Sequence, residues 1–191
     1  SFFESGFTSS PVVILRGNLF DFFQVYILLG TNPLNEAPEW FIKNISERPE
    51  ECSANVNGAN IKYFIWGDKS KKPLLLLHGY NAHSFWWDHI APSLIENHCV
   101  VGLDFSGMGE SDRREEYSQE IFVDDVKGVI DDLSWKSCTC IAHSMGGSIA
   151  TLATSIYPDI FEHLILLDSM IVIPPNVAER MSSNRPSARL V

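Results

Sequence analysis

Basic residues are in short supply in this 191-residue chain. Lys and Arg number 14 against 24 Asp and Glu, giving a formal net charge of -10 and a pI near 4.9. Binding to a phosphate backbone needs a basic face, so nucleic acid is excluded as a partner. Cysteine is scarce as well: Cys52, Cys99, Cys138 and Cys140. The last three lie in apolar runs that read as buried strands, where a reduced thiol is a small hydrophobe. Cys138 and Cys140, two apart on one strand, point the same way and are badly placed to bond to each other. A disulfide framework is not expected, and a reducing, cytoplasmic setting fits better. No pair has zinc-ligand spacing, and neither a metal nor a cofactor is expected. Also missing is the uncharged apolar run of about 18 residues that a membrane span requires. The most apolar N-terminal piece, "PVVILRGNLFDFFQVYILLG" (11–30), is broken by Arg16, Asp21 and Gln24 and lacks the basic start of a signal peptide. It reads as a poorly ordered extension, an extra helix docked on the body, or a membrane-surface anchor. There are no internal repeats and no low-complexity segments, and nothing sets the oligomeric state.

What the chain does have is alternation. "NEAPEWFIKNIS" has a helical look, with Trp40, Phe41 and Ile45 on one side. "CSANVNGANIKYFIWGD" reads as a hairpin turning at Asn57-Gly58. From Pro73 onward, short continuous apolar runs alternate with helical patterns. "PLLLLHG", "HCVVGLDF", "CTCIAHS" and "HLILLDS" are strands covered on both faces, and "FWWDHIAPSLIEN", "SQEIFVDDVKGVIDDL" and "MGGSIATLATSIY" are helices. "DRREEYSQE" reads as a solvated loop and helix start. This order predicts a parallel α/β sheet with right-handed crossovers. Ligands bind such sheets beyond the carboxyl ends of the strands, where His78-Gly79, Asp104, Ser144 and Asp168 all fall.

"CIAHSMGGSIA" (140–150) puts Ser144 where a strand turns into a helix. So sharp a reversal forces its central residue into a strained backbone conformation, and Gly146 and Gly147 let the helix approach the strand. The hydroxyl is lifted above the sheet at a helix N-terminus that favours developing negative charge. An ordinary serine N-cap is the competing reading of this junction alone. The wider context decides between them. "AHSMGG" resembles the nucleophile elbow of the α/β-hydrolase fold, usually G-x-S-x-G, with Ala142 where the first glycine normally stands. "LLLLHGYNAHS" resembles that family's HG oxyanion loop, and "LDFSGMGESD" its D-x-x-G-x-G-x-S segment. The three occur in family order over about residues 52–170. The resemblance implies a mostly parallel α/β-hydrolase sheet with helices on both faces and an N-terminal β-hairpin. It implies Ser144 as nucleophile, with the backbone N–H groups of Tyr80 and Met145 as oxyanion donors. Each such donor is typically worth about 2.7–4 kcal/mol in the transition state. Asp168 stands where some members carry the triad acid. His143 is expected to pack rather than act as base, His78 to shape its loop, and Asp104 to tie down its own glycine-rich turn. Phe85, Trp86 and Trp87 either line an acyl pocket or pack the core.

In this family the triad runs Ser, acid, His. The six histidines are 78, 83, 89, 98, 143 and 163, and none follows Asp168. The resemblance therefore implies a fragment without the catalytic histidine. Residues 37–170 would form a partial core, 171–191 the start of a helical lid, and 1–36 an N-terminal extension. The expected function is a serine hydrolase cleaving a carboxylic ester or related small acyl compound through an acyl-enzyme. Serine-based amidase, peptidase, thioesterase, C–C hydrolase and haloperoxidase activities stay open, as does a non-catalytic binding protein on the same scaffold. Dehalogenase and epoxide-hydrolase chemistry is disfavoured, because those relatives carry Asp at the nucleophile position. Residues 1–191 alone are expected not to turn over esters at an enzymatic rate. Parallel assay of p-nitrophenyl acetate hydrolysis by this chain and a longer native product checks it. Equal rates per folded molecule would put the base inside these residues.

Overall fold

The computed structural model describes residues 37–169. The N-terminal extension at 1–36 and the lid segment at 171–191 lie outside the described residues. The chain separates into two compact units, 1–42 and 43–191. In the first, residues 39–42 open helix α1 (Glu39–Ser46), and the Trp40 and Phe41 rings meet edge-on at 5.8 Å.

The second unit is built on one sheet. Strands β1 (Glu50–Val56) and β2 (Ala59–Trp66) form the expected hairpin. Asn57 and Gly58 take φ of 51° and 85°, the two left-handed residues that a type I′ turn needs. Strands β3 (Lys72–Leu77), β4 (His98–Leu103), β5 (Cys138–His143) and β6 (Phe161–Leu167) follow. The order across the six-stranded sheet is β1-β2-β4-β3-β5-β6. The last four strands run parallel, and the hairpin joins them antiparallel through β2 and β4. The mostly parallel α/β sheet expected from the sequence is therefore present.

Because β3 sits in the interior of the sheet, its Leu74–Leu77 run supplies both faces. Leu75 and Leu77 join the larger core beneath helices α3 (Gln119–Asp132) and α4 (Met145–Ile156), while Leu74 and Leu76 pack with Phe64, Trp66 and Trp87 on the other side. Helix α3 starts at Ser118, whose Oγ accepts the Ile121 N–H at 3.3 Å. All four cysteines are free thiols, and Cys138 and Cys140 share the larger core. Burial pushes the Cys138 thiol up to about 12 and raises that of Cys140 well above its ordinary value.

Two expectations need correction. The stretch "FWWDHIAPSLIEN" is not one helix. It is a 3-10 turn (Ser84–Trp87) followed by the single-turn α2 (Ala91–Leu94). Bonds from Trp86 to His83, Asp88 to Phe85 and Ile90 to Trp87 span three residues each, the tighter winding of a 3-10 segment. Pro92 lies in the first turn of α2, where its missing N–H costs nothing.

Nor is the charge run "DRREEYSQE" wholly solvated. The Arg114 side chain is only 12% exposed and pairs at 2.8 Å with Asp125, which is fully buried. The guanidinium also donates to the Val56 carbonyl at 2.9 Å, tying the hairpin to α3. Asp125 further accepts the Ser106 N–H at 2.9 Å, and burial holds its pKa above the usual carboxylate value against the pull of that bond and of Arg114. Removing one partner of a buried pair strands the other charge. Arg114→Met is expected to cost about 3–5 kcal/mol in urea unfolding. The variant's unpaired carboxyl would titrate higher still, so the loss should be largest near neutral pH and narrow in acid as Asp125 takes up its proton.

Candidate active site

Strand β5 ends at His143 and α4 begins at Met145, so Ser144 alone makes the reversal. It does so at φ 51° and ψ -116°. Its backbone is fully engaged: the N–H donates to the Leu167 carbonyl of β6 at 3.0 Å. Its carbonyl accepts from Gly147 N–H at 3.0 Å and Ser148 N–H at 3.3 Å. The hydroxyl makes no capping bond to α4, so the ordinary N-cap reading does not hold.

The loop after β3 lies directly against this corner, since β3 and β5 are neighbours in the sheet. A methyl group on Gly146 would stand 2.6 Å from the His78 carbonyl oxygen and 2.9 Å from that of Leu77. One on Gly79 would stand 3.3 Å from Ser144 Cβ and 3.0 Å from His143 Nδ1. Glycine at both places lets the helix meet the backbone of the loop after β3, and lets that loop close on the side chains of His143 and Ser144. The loop then turns back through an Ala82 N–H bond to the Gly79 carbonyl at 3.3 Å. Tyr80 is 75% exposed, and Met145 is half-buried against the larger core. As the first residue of α4, Met145 has an N–H that no turn of the helix takes up.

Two buried polar side chains fix the loops. His78 Nε2 lies 3.2 Å from the Phe105 backbone nitrogen, and Nδ1 lies 2.7 Å from the Gly79 carbonyl. An amide can only donate, so Nε2 accepts and the ring proton sits on Nδ1, donated to Gly79. Burial lowers the His78 pKa from 6.5 to about 4, while the Gly79 bond and the charge of Asp104 pull the other way. Asp104 accepts the Ser84 N–H at 2.6 Å and the Ser84 hydroxyl on Oδ1, and the Glu110 N–H at 2.8 Å on Oδ2. It thus holds its own turn, as the sequence suggested, and also the 3-10 turn after β3, which the sequence did not suggest.

The structure brings Ser144, Met145 and the Gly79–Tyr80 segment together. Asp168 is exposed on the same rim, one residue beyond the Leu167–His143 register pair. His163 pairs with Thr139 at the opposite end of those strands. Of the three aromatic candidates, Trp87 is core and Phe85 packs on Phe64 at 4.7 Å. Trp86 remains half-exposed and stacks on His143, a contact that sequence reasoning missed. Among the described residues no group of three or more His, Cys, Asp or Glu converges as metal ligands.

A model of the α/β hydrolase fold matches residues 72–188, more than half of the chain. The chain belongs to the α/β-hydrolase family. A serine hydrolase-like protein of Danio rerio is 33% identical over 124 residues, covering 63% of this chain and 38% of that protein. Epoxide hydrolase 4 of Mus musculus is 33% identical over 115 residues, covering 59% and 32%. Among solved structures, epoxide hydrolase A from Mycobacterium thermoresistibile superposes with a TM-score of 0.59 at 25% identity, covering 62% and 38%. The chain thus spans about a third of the length of these two curated relatives.

In this α/β-hydrolase-family chain, His78 yields a pH test. Its folded pKa is depressed, so between pH 6.5 and 4 the unfolded chain binds the proton more readily. The stabilisation from the neutral ring is complete above that window and is lost as pH falls through it. Nitrogen-15 NMR is expected to find the His78 ring neutral at about pH 5, with its single ring proton on Nδ1. His78→Gln should remove this part of the stability-against-pH slope; a wild-type ring titrating near its ordinary value would contradict the assignment.

Proposed function

We propose that this chain is the nucleophile-bearing part of a serine hydrolase acting on a carboxylic ester or related acyl compound. The observation that carries the reading is Ser144, held at φ 51° on a strand-to-helix corner, its hydroxyl free of its helix, beside the Gly79–Tyr80 loop. In the proposed reaction Ser144 Oγ attacks the acyl carbon and its proton passes to a general base. The N–H groups of Tyr80 and Met145 stabilise the oxyanion. The leaving alcohol departs with the proton, and water then releases the acid. His78 is unsuited as the base, because both its ring nitrogens are engaged. We assign that role to a histidine C-terminal to Asp168 in the whole protein, with Asp168 as its carboxylate partner. The serine hydrolase-like relatives support the reading. The epoxide hydrolases do not shift it, since position 144 carries serine rather than aspartate.

In the full-length protein, a fluorophosphonate is expected to label Ser144, read by peptide mass spectrometry. A label elsewhere, or none on an active preparation, overturns the proposal. Tyr80→Pro removes the N–H and should lower kcat by about 10² or more, while Tyr80→Phe should be mild. Equal losses would mean that Tyr80 acts through its hydroxyl.

A further inference from the structure

Two rings that this chemistry leaves unused lie against its machinery. Along β5, Ala142 faces the larger core, and Ile141 and His143 alternate to the other face, where Ile141 meets the cluster of Trp87 and Leu76. The His143 imidazole stacks on the Trp86 indole, with centroids 5.7 Å apart and planes within 15° of parallel. The same imidazole abuts Gly79, whose Cβ position would be 3.0 Å from Nδ1 and 3.4 Å from Cε1. Trp86 hangs from a fixed turn. Ser84, two residues earlier, is bound to Asp104 through both its N–H and its hydroxyl, and Trp87, one residue later, is buried. Yet Trp86 is 52% exposed, so immersion in the core does not explain its placement.

We propose that the His143–Trp86 stack is a brace holding the Gly79–Tyr80 peptide at the Ser144 corner, which makes both residues positioning residues for the oxyanion loop. The proposal rests on the reading of Ser144 as nucleophile. Gly79 has no side chain with which to fix itself. On one side its loop is tied by His78 Nδ1 to the Gly79 carbonyl and pressed by α4 at Gly146. On the other it meets the His143 ring. An unstacked imidazole could rotate away from Gly79, and the indole face removes that freedom. Because His143 adjoins Ser144 in the chain, the brace sets the loop relative to the nucleophile itself.

An interaction that aligns an oxyanion donor acts in the transition state more than in the ground state, so its loss should lower kcat and leave KM nearly unchanged. In the full-length protein, His143→Ala and Trp86→Ala are each expected to reduce kcat by about tenfold or more, with KM within about twofold. Trp86→Phe keeps a stacking face and should restore most of the loss. Trp86→Leu keeps bulk without one and should not, which serves if the alanine variant folds poorly. Hydrogen exchange, followed by mass spectrometry, should speed up in the peptide holding Tyr80, Asn81 and Ala82 in the non-stacking variants, with β3 and β5 unchanged. This readout needs no turnover. Failure of Ser144 to take the fluorophosphonate would overturn the hydrolase reading, whereas unchanged exchange at residues 80–82 would overturn the brace. A higher KM at unchanged kcat in Trp86→Leu would also overturn it, by making the indole a wall for substrate.

Discussion

Ser144 holds a backbone conformation that costs an L-residue about 1–3 kcal/mol, and its surroundings are arranged so that relaxation would cost more. Rotating the residue back would break its N–H bond to Leu167 and the two bonds that anchor the first turn of α4 to its carbonyl. It would also lift Gly146 away from the carbonyls of His78 and Leu77. The strain is therefore distributed over β6, α4 and the loop after β3. What it produces is a serine whose side chain does not cap its helix, beside the loop after β3.

The loops after β3 and β4 are cross-tied in opposite senses. His78, just after β3, reaches across to the Phe105 amide after β4, and Asp104, just after β4, reaches back to Ser84 in the turn after β3. Both side chains are buried and both are satisfied, the condition under which polar groups rigidify a core rather than weaken it. Deleting either one would orphan a donor or acceptor on the opposite loop. This is why the neutral state of the His78 ring matters: a second ring proton would point at an amide that has nothing to accept it with.

Features written in a few adjacent residues were legible from sequence. Asn57-Gly58 announces its hairpin, continuous leucines announce an interior strand, and the serine followed by glycines announces a strained corner. What was not legible depends on residues far apart in the chain. Nothing near Ser84 signals that it would bind Asp104, or that the aromatic stretch would wind as a 3-10 turn. Trp86 meets His143 only because β3 and β5 become neighbours. Arg114 sits among like and unlike charges that suggest a solvated loop, and its burial follows from Asp125 on the inner face of α3. The rim position of Asp168 was readable from its place after a strand.

The bond from Ser144 N–H to the Leu167 carbonyl gives the corner a mechanical load path. Among the described residues, β6 pairs with β5 in parallel up to the His143–Leu167 register pair, one residue short of the corner. The nucleophile-bearing turn is thus suspended in part from a strand that follows it in the chain. A tug on the end of β6 is transmitted through one peptide to the Ser144 amide. Whatever steadies that strand also sharpens the aim of the hydroxyl.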